Sequence, residues 1–467
     1  MSNSILKAAK PAGLWPRCYP SALISSSSSF SFHRRFLLRA FALTAFVAGA
    51  ALVLQQTCAA QSMNTEQAAQ AQAFVNTAGV NTHLTYTDTP YYTAWPQIFN
   101  ALQTLGVKHI RDGYFDTWAT PQIAYEHQQL AQAGITTDYV LPFGMNPSPQ
   151  ALQQFAGRVW DVEAVEAPNE CDILGDCGGG GIAGISNVIS LLPNLQSAAQ
   201  SLNVPLMGPS YVLPSSYPQS GNIAPLMALN SLHLYFGGRN PGSPGWGSCD
   251  AQGNCFGSFA YWLDQSNIDA PGVAPVNTET GYLSFPSTTT PYTVPEGVAA
   301  TYDLRTLLLG FKYGFQETFF YQLLDDPSSP AGYGLLNSDL SPKAPFTALS
   351  NLLSLMSDPG GSFSPGTLTF ALAGGDSNLQ HMLFQKSDGS YYLVLWLEEP
   401  CYNPATNQNI AVTPENIGIE LPGNYTTATD YQFNPSGNYV AFNQPMYGNW
   451  AGLTVTDQIS VVKIVSR

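Results

Sequence analysis

From about Gly79 onward, short apolar runs alternate with longer stretches in which apolar residues return every three to four positions. The short runs are Val80–Leu84, Lys108–Asp112, Asp138–Phe143, Val162–Pro168, Val204–Gly208, Asn230–Phe236, Ala274–Thr280 and Glu317–Leu323. Their length and the turn formers around them predict β-strands. Between them, Trp95, Ile98, Phe99, Leu102 and Leu105 fall on one helical face, and Gly106 stands where a C-terminal cap belongs. Leu349, Leu352, Leu353 and Met356 repeat the pattern after the eighth run. Eight strand–helix units predict a (β/α)8 barrel over residues 79–358, close to the roughly 250 residues such a barrel takes. A doubly wound open sheet would want a glycine-rich phosphate turn after its first strand, and Asn81-Thr82-His83 stands there instead.

After about Pro359 the periodicity changes. Thr367–Leu372, His381–Gln385, Tyr391–Leu397, Ile417–Leu421, Thr429–Asn434 and Ser460–Val465 read as strands separated by Gly, Pro and Asn. Ser387-Asp388-Gly389-Ser390 is a hairpin signal. Residues 359–467 are therefore expected to form an antiparallel β-sandwich. Residues 61–78 form an N-terminal segment that packs on the sandwich or on the barrel. There is no internal repeat, and a monomer is expected.

Composition narrows the class. Hydrophobic residues are 45% of the 467, enough for a large core, while charged residues are only 10%. The net charge is −15, although residues 1–60 carry six basic residues and no acidic one, which leaves −21 on the remainder. So acidic a body repels phosphate backbones and anionic lipid, which argues against nucleic acid or a membrane as partner. His33-Arg34-Arg35, the apolar run Ala40–Leu54 and the small residues Cys58-Ala59-Ala60 follow the order of a signal peptide, about residues 1–60. Secretion or export to a periplasm is expected, and Arg34-Arg35 leaves the route open. Of seven cysteines, Cys171 and Cys177, and Cys249 and Cys255, form two equally spaced pairs. In an exported chain these read as local disulfides, with Cys401 left over. Zinc sites would need tighter Cys steps or His partners, and neither metal nor organic cofactor is expected.

A barrel carries its active site at the C-terminal strand ends. The fourth predicted strand ends in Asn169-Glu170 and the seventh in Glu279-Thr280-Gly281-Tyr282. The second ends at Arg111, and the sixth at His233-Leu234-Tyr235. Each has a plainer reading. Arg111 could pair with Asp112 or Asp116, His233 could be structural, and a lone Asn-Glu is often a solvated loop. His83, Glu163 and Glu166 read as barrel structure, and Asp325-Asp326 as solvated acids. The two glutamates on facing strand ends, with Arg111 and His-x-Tyr between, favour a site.

In this pattern the chain resembles glycoside hydrolase clan A, whose members carry an Asn-Glu acid/base on strand four and a Glu nucleophile on strand seven. The resemblance covers the barrel, and the added β-domain makes it closer to family 39 and its relatives than to family 5. It implies a retaining glycosidase on oligo- or polysaccharides, cleaving β-bonds, with a carbohydrate as partner. It implies Glu279 as nucleophile and Glu170 as acid/base, with Asn169 on the sugar 2-hydroxyl, Arg111 near the nucleophile and Tyr235 orienting it. Cys171 stands where many members have proline, and Tyr321 where many have a tryptophan under the sugar. Glycoside cleavage needs one carboxyl protonated for the leaving oxygen and one ionised to attack. Arg111 suits the second role to Glu279, and the neutral neighbour Asn169 suits the first to Glu170. Tyr91, Tyr92, Tyr114, Trp118, Trp246, Tyr282 and Phe285 are candidate sugar-stacking walls, with at least half expected to be loop anchors. A glycan-binding barrel without catalysis, or a cell-surface structural module, is the alternative, and retention of both glutamates speaks against it.

Overall fold

The computed structural model describes residues 63–174, 177–284, 292–326 and 332–467; the expected signal segment, Cys58 and Phe285 lie outside the described residues. Two short strands come first, β1 (Asn64–Gln67) and β2 (Ala69–Gln70). Eight parallel strands then follow: β3 (Ala78–Asn81), β4 (His109–Gly113), β5 (Thr136–Val140), β6 (Val162–Glu166), β7 (Leu206–Met207), β8 (Leu229–Leu234), β9 (Ala274–Thr280) and β10 (Thr318–Phe320). They close into a barrel, β10 pairing with both β9 and β3. The barrel is filled, not hollow. Ala164, Met207, Val276 and Phe319 form a buried cluster, and Gly79 is required because a Cβ there would sit 2.5 Å from the Phe319 ring. The helix Trp95–Leu105 ends at Gly106 with φ 84°, as the sequence predicts. The fifth strand is shorter than the predicted Val204–Gly208, because Val204 still donates back to Ala199 at the end of the preceding helix.

The C-terminal region folds as a sandwich. Its strands are β11 (Thr367–Ala373), β12 (Leu379–Gln385), β13 (Tyr391–Leu397), β14 (Tyr402–Asn403), β15 (Gln408–Asn409), β16 (Glu415–Glu420), β17 (Tyr425–Phe433), β18 (Tyr439–Asn443), β19 (Trp450–Val455) and β20 (Ser460–Ser466). One sheet has the order β1-β11-β16-β19 and the other β18-β17-β20-β13-β12-β2. The N-terminal strands thus complete both sheets. The six-stranded sheet has apolar partners on both faces. Leu393, Leu395, Val462 and Ile464 pack on the four-stranded sheet, whereas Phe384, Tyr392, Val394 and Trp396 join the barrel's helices. That double cover explains why all of β13 is apolar and buried.

A buried ion pair fastens the two parts. Arg305, on the helix Glu296–Lys312, meets Glu398 at the end of β13 and also donates to the Glu399 carbonyl at 3.0 Å. Glu398 further accepts from Trp396 Nε1 (2.7 Å), Asn240 Nδ2 (2.8 Å) and the Gly242 amide (3.0 Å). Burial works to raise its pKa, but Arg305 and these donors outweigh burial and hold it below the usual carboxylate range. Arg305→Ala leaves that charge buried without its counter-ion, so unfolding in urea at pH 7 should show a loss of about 3–5 kcal/mol. Because the folded pKa is depressed, the pair's contribution is complete above the unfolded value near ~4.3 and fades as pH falls below it. The gap between wild type and variant should therefore narrow at pH 3.5.

Both expected disulfides are present, Cys171–Cys177 and Cys249–Cys255. Cys401 is free and half-buried, its thiol pushed up to about 11 by burial.

Candidate active site

Four barrel strands, β4, β6, β8 and β9, deliver the charged groups. Glu279 is the penultimate residue of β9, and Glu170 stands just beyond β6 in a left-handed conformation, φ 45°. A bulge between β8 and β9 skips Thr278, so that Leu232 pairs with Asn277 and the next residue, His233, pairs with Glu279. Bulges of this kind re-aim side chains beside active sites, and here one sets His233 next to Glu279. His233 Nδ1 lies 2.7 Å from Glu170 Oε1 and 3.7 Å from Glu279 Oε2. One donor atom from each of Glu170, His233 and Glu279 falls within 4.8 Å of the other two.

Arg111, at the middle of β4, organises the floor. Its Nη1 donates to Glu279 Oε1 (2.7 Å) and Asn81 Oδ1 (2.9 Å). Its Nε and Nη2 grip Glu166 at 2.6 and 2.9 Å, and Nη2 also reaches Asn169 Oδ1 at 2.7 Å. Burial works against its charge, but Glu166 and Glu279 outweigh burial and keep the guanidinium protonated. With Oδ1 of Asn169 taken, its amide Nδ2 remains to donate to a ligand. The Tyr235 hydroxyl donates to Glu279 Oε2 at 3.0 Å, and burial holds that phenol in its protonated form. For His233, burial acts downward, and Glu279 and the bond to Glu170 outweigh it, so the net shift is upward. Among the described residues this trio is one of two clusters with metal-ligand geometry. The other, His109, Glu163 and Glu317, lies at the opposite ends of the strands, where His109 Nδ1 already meets Glu163 at 2.6 Å. In the upper trio both Glu279 oxygens already accept, from Arg111 and Tyr235, and Glu170 Oε1 meets His233 Nδ1.

A cavity of about 400 Å³ opens over this floor. Arg111, Asn169, Glu279 and Tyr321 line it, together with His83 and Tyr86, whose rings stack at 4.6 Å. Tyr321, a sequence candidate for the sugar wall, is thus among the cavity's lining residues. Two other sequence candidates are not. Tyr282 is buried, its hydroxyl bonded to the Arg239 carbonyl at 2.7 Å and its ring against Phe236 and Tyr302, so it anchors a loop. Trp246 packs on Phe256 and under Arg239 within its own loop, outside the cavity. Tyr91 is buried, with the Leu324 amide donating to its hydroxyl, Tyr114 stacks on Phe155, and Trp118 lies on Arg158.

Sequence reasoning missed the groups behind the site. Glu166, read as barrel structure, is fully buried, bonded twice to Arg111 and once to Ser231 Oγ at 3.0 Å. Asp138 lies beside it, fully buried, with neither oxygen partnered if both acids are ionised. Burial, then Glu166, pushes its pKa well up. Protonated Asp138 donates to Glu166, and the contact becomes a hydrogen bond. Asp138→Asn keeps a neutral donor in the same place and should leave the pH profile of kcat/KM unchanged. Glu166→Gln frees Arg111's charge for Glu279. It should lower kcat by about tenfold or more.

No protein-family model matches the chain, and no curated protein matches it in sequence. Solved structures do. The chain is similar to a family 39 glycoside hydrolase from the gut symbiont Bacteroides cellulosilyticus WH2, with 15% identity over 85% of this chain and 82% of that one, TM-score 0.56. It is also similar to the catalytic domain of GH30 xylanase C from Talaromyces cellulolyticus (12%, 86% and 99%, 0.53). A third is the α-L-arabinofuranosidase from Thermotoga maritima (12%, 87% and 100%, 0.56). The fold shared with them is the closed eight-stranded barrel with a β-sandwich. At these identities the likeness speaks for the fold, and the chemistry rests on the site.

Proposed function

We propose that the chain is a retaining glycoside hydrolase that cleaves β-O-glycosidic bonds in oligo- or polysaccharides, with Glu279 as nucleophile and Glu170 as acid/base. The observation that carries this reading is the pair of carboxylates on facing strand ends, with oxygens within 4.8 Å of each other. Double displacement uses carboxyl groups about 5–5.5 Å apart, whereas inversion needs about 6.5–9.5 Å to admit a water. The surroundings divide the labour. Glu279 accepts from Arg111 and Tyr235, which aim it at the anomeric carbon. Glu170, whose Oε1 lies 2.7 Å from His233 Nδ1, gives a proton to the leaving oxygen as that bond breaks. Water then gives its proton back to Glu170, attacks the same carbon and releases Glu279. Asn169 Nδ2 donates to the sugar 2-hydroxyl, and Tyr321 forms the wall.

The likeness to a xylanase and an arabinofuranosidase makes pentose-containing polysaccharides the first substrates to try. We place the protein outside the cytoplasm. Two disulfides suit an oxidising compartment, the N-terminus has signal-peptide order, and no described helix is long and apolar enough to cross a membrane. A panel of aryl β-glycosides, followed by proton NMR of the first sugar released, tests the reading. The β-anomer is expected first, the α-anomer would mean inversion, and no release from any member would remove the catalytic reading.

A further inference from the structure

The sandwich carries a groove of about 550 Å³. It lies at a seam where β18, the edge of the six-stranded sheet, meets β19, the edge of the four-stranded one. Gln444 Nε2 bridges the seam to the Gly452 carbonyl at 2.8 Å. We propose that this groove, lined by Asn416, Gln432, Phe442, Gln444, Gly452 and Thr454, is a second carbohydrate site that holds neutral polysaccharide while the barrel cleaves it. The proposal rests on the glycosidase reading for its ligand class.

Three features point to such a ligand. First, the lining offers amides and a hydroxyl but no exposed charge. Asn416 and Thr454 are solvent-exposed, with the Thr454 hydroxyl donating to Asn416 Oδ1 at 3.2 Å. The Gln432 amide donates to Asp430 at 2.7 Å, which leaves its carbonyl oxygen to accept. Asp430 is the one acid in the lining; it is fully buried, bonded also by Ser460, and pushed upward by burial. With no cation in the lining, phosphate or another anion has nothing to meet. Second, Phe442 is 46% exposed on the edge strand, where packing does not require an aromatic ring. An exposed ring face beside hydrogen-bonding amides matches a pyranose, apolar on its C–H face and polar at its rim. Third, Gly452 opposes Gly418 across the β16–β19 ladder. A Cβ at Gly418 would press on the Trp450 ring, which accounts for that glycine by packing. A Cβ at Gly452 would meet nothing, so packing does not account for it. Glycine inside a strand often marks a place where a ligand approaches the backbone closely, and Gly452 keeps the groove floor clear.

The test is retention in native gels containing soluble arabinoxylan, mixed-linkage β-glucan or galactomannan. A Glu279→Gln background keeps the polymer intact. Retention by at least one polymer is expected. Phe442→Ala, which removes the ring, and Gly452→Gln, which fills the floor, should each weaken it about tenfold. In the wild-type background both variants should keep kcat/KM on an aryl glycoside within about twofold and the thermal midpoint within about 3 °C. Equal retention of variants and parent overturns the proposal, as does no retention on all three polymers. The two readings fail separately. Aryl glycoside cleavage with Phe442-independent retention removes the groove and leaves the enzyme. Phe442-dependent retention without any cleavage keeps the groove and removes the catalytic reading.

Discussion

Glu279→Ala should reduce turnover of every aryl glycoside by about five orders of magnitude, with no recovery for better leaving groups. The reason lies in which bond the residue makes. Glu279 is the carboxylate gripped by Arg111 Nη1 and the Tyr235 hydroxyl, so it is fixed in place at the floor of the cavity. Without it no glycosyl-enzyme forms, and a better leaving group cannot help a step that has lost its nucleophile. The vacated volume admits a small anion beneath the sugar. Azide should therefore give slow turnover by a single displacement, and a β-substrate should yield the α-glycosyl azide. Loss of the carboxylate leaves Arg111 still paired with Glu166, so the variant should stay folded, with a melting temperature close to wild type. More than about one per cent residual turnover in the folded variant would place the nucleophile elsewhere.

The two glutamates were legible because a barrel converts chain order into position. Once eight strand–helix units are counted, each strand end has a known place around the mouth, and Asn169-Glu170 and Glu279 follow. What supports them was not legible. Glu166 looks like one polar residue among alternating strand positions, and its partner Arg111 lies 55 residues away. Only closure of the barrel shows that Glu166 points inward and must be paired. Asp138 is hidden by the same geometry, since its protonation depends on Glu166 beside it. His233 and Glu279 become neighbours through a bulge, a shift of one residue that no hydrophobic pattern records. Loop aromatics misled in the other direction. Composition says that Tyr282 and Trp246 need a surface to cover, but not whether that surface is a sugar or the loop's own backbone. In the sandwich, the strands that carried apolar residues were readable. Tyr439–Asn443 is an edge strand whose apolar Val440 and Phe442 are exposed and so mark no core face, and Asn64–Gln67 is polar and held by backbone pairing to Thr367–Phe370.

Glu170→Ala should behave differently from Glu279→Ala, and the difference assigns the roles. With a poor leaving group such as a natural sugar, loss of the acid should lower kcat/KM by about 10²–10⁴-fold, the usual worth of general acid catalysis. A dinitrophenyl glycoside departs without a proton, so kcat/KM for it should fall little. Glu279 still attacks, and the glycosyl-enzyme forms. Its hydrolysis is then slow, because no base takes the proton of the incoming water, and the intermediate should accumulate to a level visible by intact mass. Azide needs no base. It enters the space left by the side chain on the exposed side of the sugar, and should restore kcat with a β-glycosyl azide as product from a β-substrate. His233 sharpens the test. Its Nδ1 loses the 2.7 Å contact to Glu170 and keeps the one to Glu279 at 3.7 Å. An imidazolium left there could supply a residual proton, so the double variant with His233→Ala should remove remaining activity on poor leaving groups without changing azide rescue. An α-azide from the Glu170 variant would mean direct displacement, and a β-azide from the Glu279 variant would reverse the two roles.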